Sequence, residues 1–184
     1  MKQESRHFSD ERFNELLFTQ YYILNPLYEN LYKPMLDSAE LIARYNNYAS
    51  INCMSGMALE KYNALTHPYP SIMDKIKKYG CDPKQLHHIL RIKDFIVRYC
   101  DGEEYSSILI PTNKEELLNI KANYHYELEY TKSLAKSTCD WIKEYKDNYM
   151  KENPVKINKR AEKLMKDVLT KLITFSIKRE VNNG

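Results

Sequence analysis

The chain has 184 residues, 43% hydrophobic and 29% charged, with a mean hydropathy of −0.65. It is long enough to bury a core and too apolar to be a disordered tail. Four glycines are too few for the many turns of a β-sandwich or barrel, or for the phosphate-cradling loop of a doubly wound α/β fold. No apolar run approaches the roughly 20 residues of a membrane span. The first residues, MKQESRHFSDER, are polar and carry no secretory signal. The expectation is a cytoplasmic protein without a membrane partner. A net charge of +3 singles out no ligand. Cys53, Cys81, Cys100 and Cys139 include no close pair, so they read as reduced thiols rather than zinc ligands.

The chain reads as helices from end to end. Ser9 caps a first helix through Phe13, Leu16, Leu17 and Tyr21, with Asp10 and Glu11 in its first turn. Pro26 breaks that pattern, and a second helix fits between Pro26 and Leu31, before Pro34. Asp37 or Ser38 caps a long third helix, whose apolar positions run from Leu41 and Tyr45 through Cys53 to Tyr62. Two prolines make Thr66–Pro70 a loop. A short helix from Ile72 to Tyr79 ends at Gly80, a C-cap residue. Asp82 caps the next helix, with Pro83 in its first position, and that helix reaches about Tyr99.

Cys100–Glu103 is a turn, and Tyr105–Pro111 is short, apolar and β-like. Thr112 or Asn113 caps a helix with Glu115 and Glu116 in its first turn. Another helix runs from about Tyr126 to Met150, and Asn153-Pro154 ends it. The last spans about Val155 to Lys178, with Ile157, Ala161, Leu164, Val168, Leu172 and Phe175 at helical spacing. The fold expected is all-α: a single helical domain over residues 1–184, with six to eight helices and one short extended segment near 105–111.

Two features carry charge chemistry. Lys84, His88 and Arg91 share one helix face, and Arg98 falls near the same stripe two turns on. Cations in line on an otherwise apolar helix attract an anion, of which phosphate is the natural one, or else face solvent. His87 points away from His88, so the pair does not form a metal site. Residues 151–180 hold Lys151, Lys156, Lys159, Arg160, Lys163, Lys166, Lys171, Lys178 and Arg179 against Glu152, Glu162, Asp167 and Glu180. That excess fits an RNA or DNA backbone, or a solvated outer face. Metal-protease, serine-hydrolase and P-loop motifs are missing.

The order of these pieces adds to each of them. Phe8-Ser9 through Leu16-Leu17 is followed by Leu24-Asn25-Pro26 with Glu29, then by the Lys84, His88 and Arg91 helix. The β-like segment with Pro111, Glu116-Leu117-Leu118 with Ile120-Lys121, and Asn153-Pro154 complete the series. Together they resemble the C-terminal part of a family of predicted nucleotidyltransferases in the DNA polymerase β-like superfamily, associated with RNA repair and frequent in bacteria and phages. By this resemblance residues 1–33 are the connection from a catalytic sheet, and 34–184 the helical substrate-binding part. Lys84, His88 and Arg91, with Arg98, then face a nucleoside triphosphate or its acceptor. Family enzymes hold two Mg²⁺ ions on a Gly-Ser turn, an Asp-x-Asp and a third carboxylate. Here neither the turn nor the Asp-x-Asp precedes Phe8, and Glu4 alone stands near the third position.

The resemblance therefore implies a non-catalytic, nucleotide-binding portion with no cofactor of its own. It would need Mg²⁺ only together with a separate catalytic chain, docked against residues 1–30. Two other readings remain open: a stand-alone protein-interaction module, such as a phage-encoded inhibitor, and an RNA- or nucleotide-binding protein.

Overall fold

The computed structural model describes residues 26–183, and they are helical, with no strand among them. The helix expected from Ser9 to Tyr21, Glu4, and most of the segment given to a protein partner lie outside the described residues. Two compact units make up the described residues: 46–157 form one, and 26–45 with 158–183 form the other.

In the first-named unit, three long helices carry the core: α3 (Asn47–Ala64), α5 (Pro83–Cys100) and α8 (Leu128–Glu152). They pack on one another pairwise, and α7 (Lys114–Ala122) leans on α5. Between α3 and α5 lies the short α4 (Met73–Tyr79), and between α5 and α7 the single turn α6 (Tyr105–Ile108). The other unit holds α1 (Glu29–Leu36), α2 (Ala39–Ala43) and α9 (Lys159–Asn183).

Core residues of the three-helix unit fall into two clusters. One joins Ile51 and Ala58 of α3 to Ile96 and Tyr99 of α5, Ile108 of α6 and Ile142 of α8. The other joins Leu65, Cys81, Leu86, Ile89, Ile120 and Ala135. Cys139 packs against both. At one end, Asn47 and Tyr48 bind the start of α3 to the exit of α8. The Asn47 amide donates to Pro154 O at 3.2 Å and its Oδ1 accepts from Lys156 N at 2.8 Å. The Tyr48 hydroxyl meets Met150 O and Asn153 O at 2.6 and 2.7 Å. The Asn153-Pro154 break thus leaves its carbonyls free to be capped by another helix. Asn46 and Ile157 close the unit with an isolated antiparallel bridge.

In the other unit, α9 packs on α1 and α2. Its inner face buries Ala161 and Val168, and the Tyr28 ring meets Phe175 edge-on at 5.3 Å. Asn158 caps α9: its Oδ1 accepts from Arg160 N and Ala161 N, both at 3.1 Å.

Several expectations need correction. The β-like segment opens as a helical turn, Tyr105–Ile108: Ile108 is buried there without a neighbouring strand, and side chains of α5 take carbonyls of this turn and of the residues after it. Pro34 sits inside α1 rather than beyond it. The helix expected from Asp37 breaks at Arg44–Asn46, because Asn46 caps a fresh start, accepting from Ala49 N at 3.0 Å. The last helix begins four residues late, at Lys159, since Val155–Ile157 is held extended by Asn47 and Asn46.

Gly80 ends α4 with φ of 73°, and a Cβ there would come within 2.6 Å of Leu128 Cδ2. A left-handed backbone and a steric overlap act together. Gly80→Ala is expected to cost about 1–3 kcal/mol of stability, read as a lower denaturation midpoint in urea.

Candidate functional site: a lysine-lined cavity beside tyrosines

The turn Gly80–Pro83 connects α4 to α5, and Asp82 is its centre. Asp82 is buried, its side chain 2% exposed. It accepts from Lys84 N at 3.3 Å, Gln85 Nε2 at 2.9 Å and Lys75 Nζ at 3.2 Å, while its own amide donates to Leu65 O at 2.8 Å. This fixes α4 and the start of α5 against the end of α3. Pro83 occupies the first turn of α5, where no amide is missed.

Next to this turn lies a cavity of about 400 Å³. Its wall includes Lys75 and Lys78 from α4, Lys84 from α5 and Lys121 from α7, against one carboxylate, Asp74. Tyr79 and Tyr124 form an aromatic side, with ring centroids 5.1 Å apart. Lys75 is ion-paired to Asp82, and Lys78 lies over the Tyr79 ring at 4.8 Å. Lys84 and Lys121 are exposed and make no ion pair among the described residues. The positive end of the α5 dipole adds to their field. The wall thus carries four cationic side chains against one carboxylate, a field that favours negative charge.

The structure separates the four residues read from the helix stripe. Lys84 lines the cavity. His88 is half-buried one turn on, and its ring meets His87 edge-on at 5.2 Å. Arg91 instead donates to Leu109 O at 3.0 Å. Arg98 donates to Ile110 O at 2.7 Å, to Ser107 O at 3.1 Å and to Glu103 at 2.8 Å. Both guanidinium groups therefore hold the α6 turn and the chain after it, together with Asp94, which accepts from Thr112 N and its hydroxyl. Sequence reasoning missed Lys75, Lys78 and Lys121, which come from other elements. The signal available was Lys121 within the Glu116–Lys121 stretch.

Charge crowding shows in the histidines. Burial, then the charges of His88, Arg91, Lys121 and Lys84, pulls His87 down to about 4. His88 is lowered too, by burial first and then by Lys84, Lys61, Arg91 and Lys121. The buried Nδ1 of His87 has no hydrogen-bond partner. Both rings are therefore neutral at pH 7, and neither adds a charge to the cavity.

Other chemistry finds less support. The Cys81 thiol is buried beside the Tyr124 hydroxyl at 3.3 Å, and burial raises it; burial raises Cys139 to about 11. Neither is a ready thiolate. Among the described residues no group of three or more His, Cys, Asp or Glu is placed to hold a metal ion, and no helix is long and apolar enough to cross a membrane. The basic excess of α9 is partly paired: Lys159 and Lys166 both reach Glu162, holding it down to about 2, and Lys163 reaches Asp167. No protein-family model, curated protein or solved structure matches the chain.

Two outcomes follow. Arg98, 13% exposed at its side chain, has carbonyl partners that its loss would strand. Arg98→Ala should lower stability by about 2 kcal/mol in urea unfolding. Unfolded His87 titrates at its ordinary 6.5 but folded His87 at about 4. Above 6.5 both states are neutral and the group is silent. As pH falls from 6.5 towards 4, only the unfolded chain takes up the proton, so stability is lost across that window. His87→Phe should flatten this part of a plot of melting temperature against pH.

Proposed function

We propose that residues 46–157 bind the phosphates of a nucleotide in the lysine-lined cavity. On this reading the chain is the non-catalytic, substrate-binding portion of a nucleotidyltransferase-like system. Nucleotide transfer would then need a separate metal-binding chain. The observation that carries the reading is the convergence of four lysines from α4, α5 and α7 on one cavity against a single carboxylate. Like charges brought together by three helices cost free energy in the empty protein, and a polyphosphate relieves that cost. The resemblance to the helical part of polymerase β-like nucleotidyltransferases gives the same role to Lys84. Of the four stripe residues the reading rests on Lys84, which lines the cavity; Arg91 and Arg98 donate to the carbonyls of Leu109, Ile110 and Ser107.

Calorimetric titration with pyrophosphate and ATP tests this. Binding should weaken with salt, and Lys84→Ala or Lys121→Ala should each lower affinity about tenfold or more, without change in the circular dichroism spectrum. Affinity that is unchanged in the double variant would place the phosphate elsewhere.

A further inference from the structure

The last helix carries a second apolar row outside its packed side. Its inner face, with Ala161 and Val168 buried, belongs to the contact with α1 and α2. Leu169, Ile173, Ile177 and Val181 recur every four residues and are 56, 51, 55 and 73% exposed. Residues four apart on a helix line up as one ridge, and this one is about 18 Å long. Apolar residues on a second side of a helix call for a second cover. α1 and α2 supply the first, and no described residue supplies the second.

Where the described chain begins narrows the occupant. The Tyr28 hydroxyl meets Ser176 Oγ at 3.1 Å and its ring meets Phe175, so the chain enters the described residues beside the middle of the ridge. The stretch before it, Ser9 to Tyr21, carries Phe13, Leu16, Leu17 and Tyr21 at helical spacing. As a helix that stretch is about 20 Å long, which matches the ridge. The links from Tyr21 to Pro26 extend to at most about 17 Å, so the stretch is tethered next to α9. Charge agrees: the stretch holds Asp10, Glu11 and Glu15 against Arg12, and the outer half of α9 holds Lys171, Lys178 and Arg179 against Glu180. A second copy fits worse. Two α9 helices bring like charges together, and four side chains fall well short of the about 800 Å² per partner of a stable complex. A tether removes that demand by holding the segment at an effective concentration on the order of millimolar.

We propose that residues 9–21 form a helix laid along this ridge, with Phe13, Leu16, Leu17 and Tyr21 against Leu169, Ile173, Ile177 and Val181. The inference is independent of the phosphate site, whose lining residues belong to 46–157. The resemblance offers the same segment to a separate chain. On this inference its apolar side is closed within the chain itself, and a partner must displace it or dock elsewhere.

Amide hydrogen exchange on the full chain tests it, with the mass in solution read by sedimentation. In a monomer, the amides of residues 13–21 should exchange about tenfold or more slower than in a free peptide of the same sequence. Ile173→Asp should erase that protection and leave the amides around Val168 unchanged, while Ile173→Leu should keep it. Leu17→Asp, which alters no residue of α9, should erase it too. Exchange of residues 13–21 at free-peptide rates in the wild-type chain would overturn the inference, and so would protection that survives Ile173→Asp. A dimer that Ile173→Asp splits, with residues 13–21 unprotected, would overturn it and give the ridge to a second copy.

Discussion

The buried carboxylate of Asp82 is the contact on which the rest of the site depends. A charge removed from water must be met by donors, and two elements supply three of them: Lys75 from α4, the Lys84 amide and Gln85 from α5. Its backbone amide reaches a third element, the end of α3, at Leu65 O. One residue thus sets where α4 and α5 meet. Lys75, Lys78 and Lys84 inherit their positions from that meeting, and so does Tyr79 at the end of α4.

The rest of the cavity follows from the same crowding. Lys75 is partly neutralised by Asp82 and Lys78 rests on an aromatic ring, so the uncompensated charge gathers on Lys84 and Lys121. The neighbouring histidines are lowered by burial first and by nearby charges second. The site's character is electrostatic: positive groups held in place, with the raised thiol of Cys81 beside Tyr124.

Much of the fold was legible because it is written locally. Asp82-Pro83 announced the start of α5, Gly80 the end of α4, and Asn153-Pro154 the end of α8, each through backbone chemistry confined to a few residues. What failed was decided at a distance. Tyr105–Pro111 is short and apolar like a strand, yet Arg91 and Arg98 of α5 take the role a neighbouring strand would have played, donating to the carbonyls of Leu109, Ile110 and Ser107. The stripe on α5 had the same blind spot. Spacing correctly places Lys84, His88 and Arg91 near one face, but it does not say which cation a backbone carbonyl has already claimed. Spacing on α9 marked Ala161 and Val168 as inner, and they are buried. It gave no weight to Leu169, Ile173, Ile177 and Val181, which stay more than half exposed on the same helix.

The bridge between Asn46 and Ile157 has a consequence for the order of assembly. Residues 46–157 are one uninterrupted stretch, and its two ends are paired. The other unit is discontinuous: Tyr45 O receives Asn158 N at 2.8 Å, from the far side of the inserted stretch. Joining these two strangers in an unfolded chain means closing a very long loop. Once the inserted stretch has folded, the loop is already closed and the two halves are delivered side by side. During synthesis the inner unit is also finished before α9 has been made. The nested arrangement thus turns a contact between far-separated parts of the chain into a nearly local one, provided that the inside folds first.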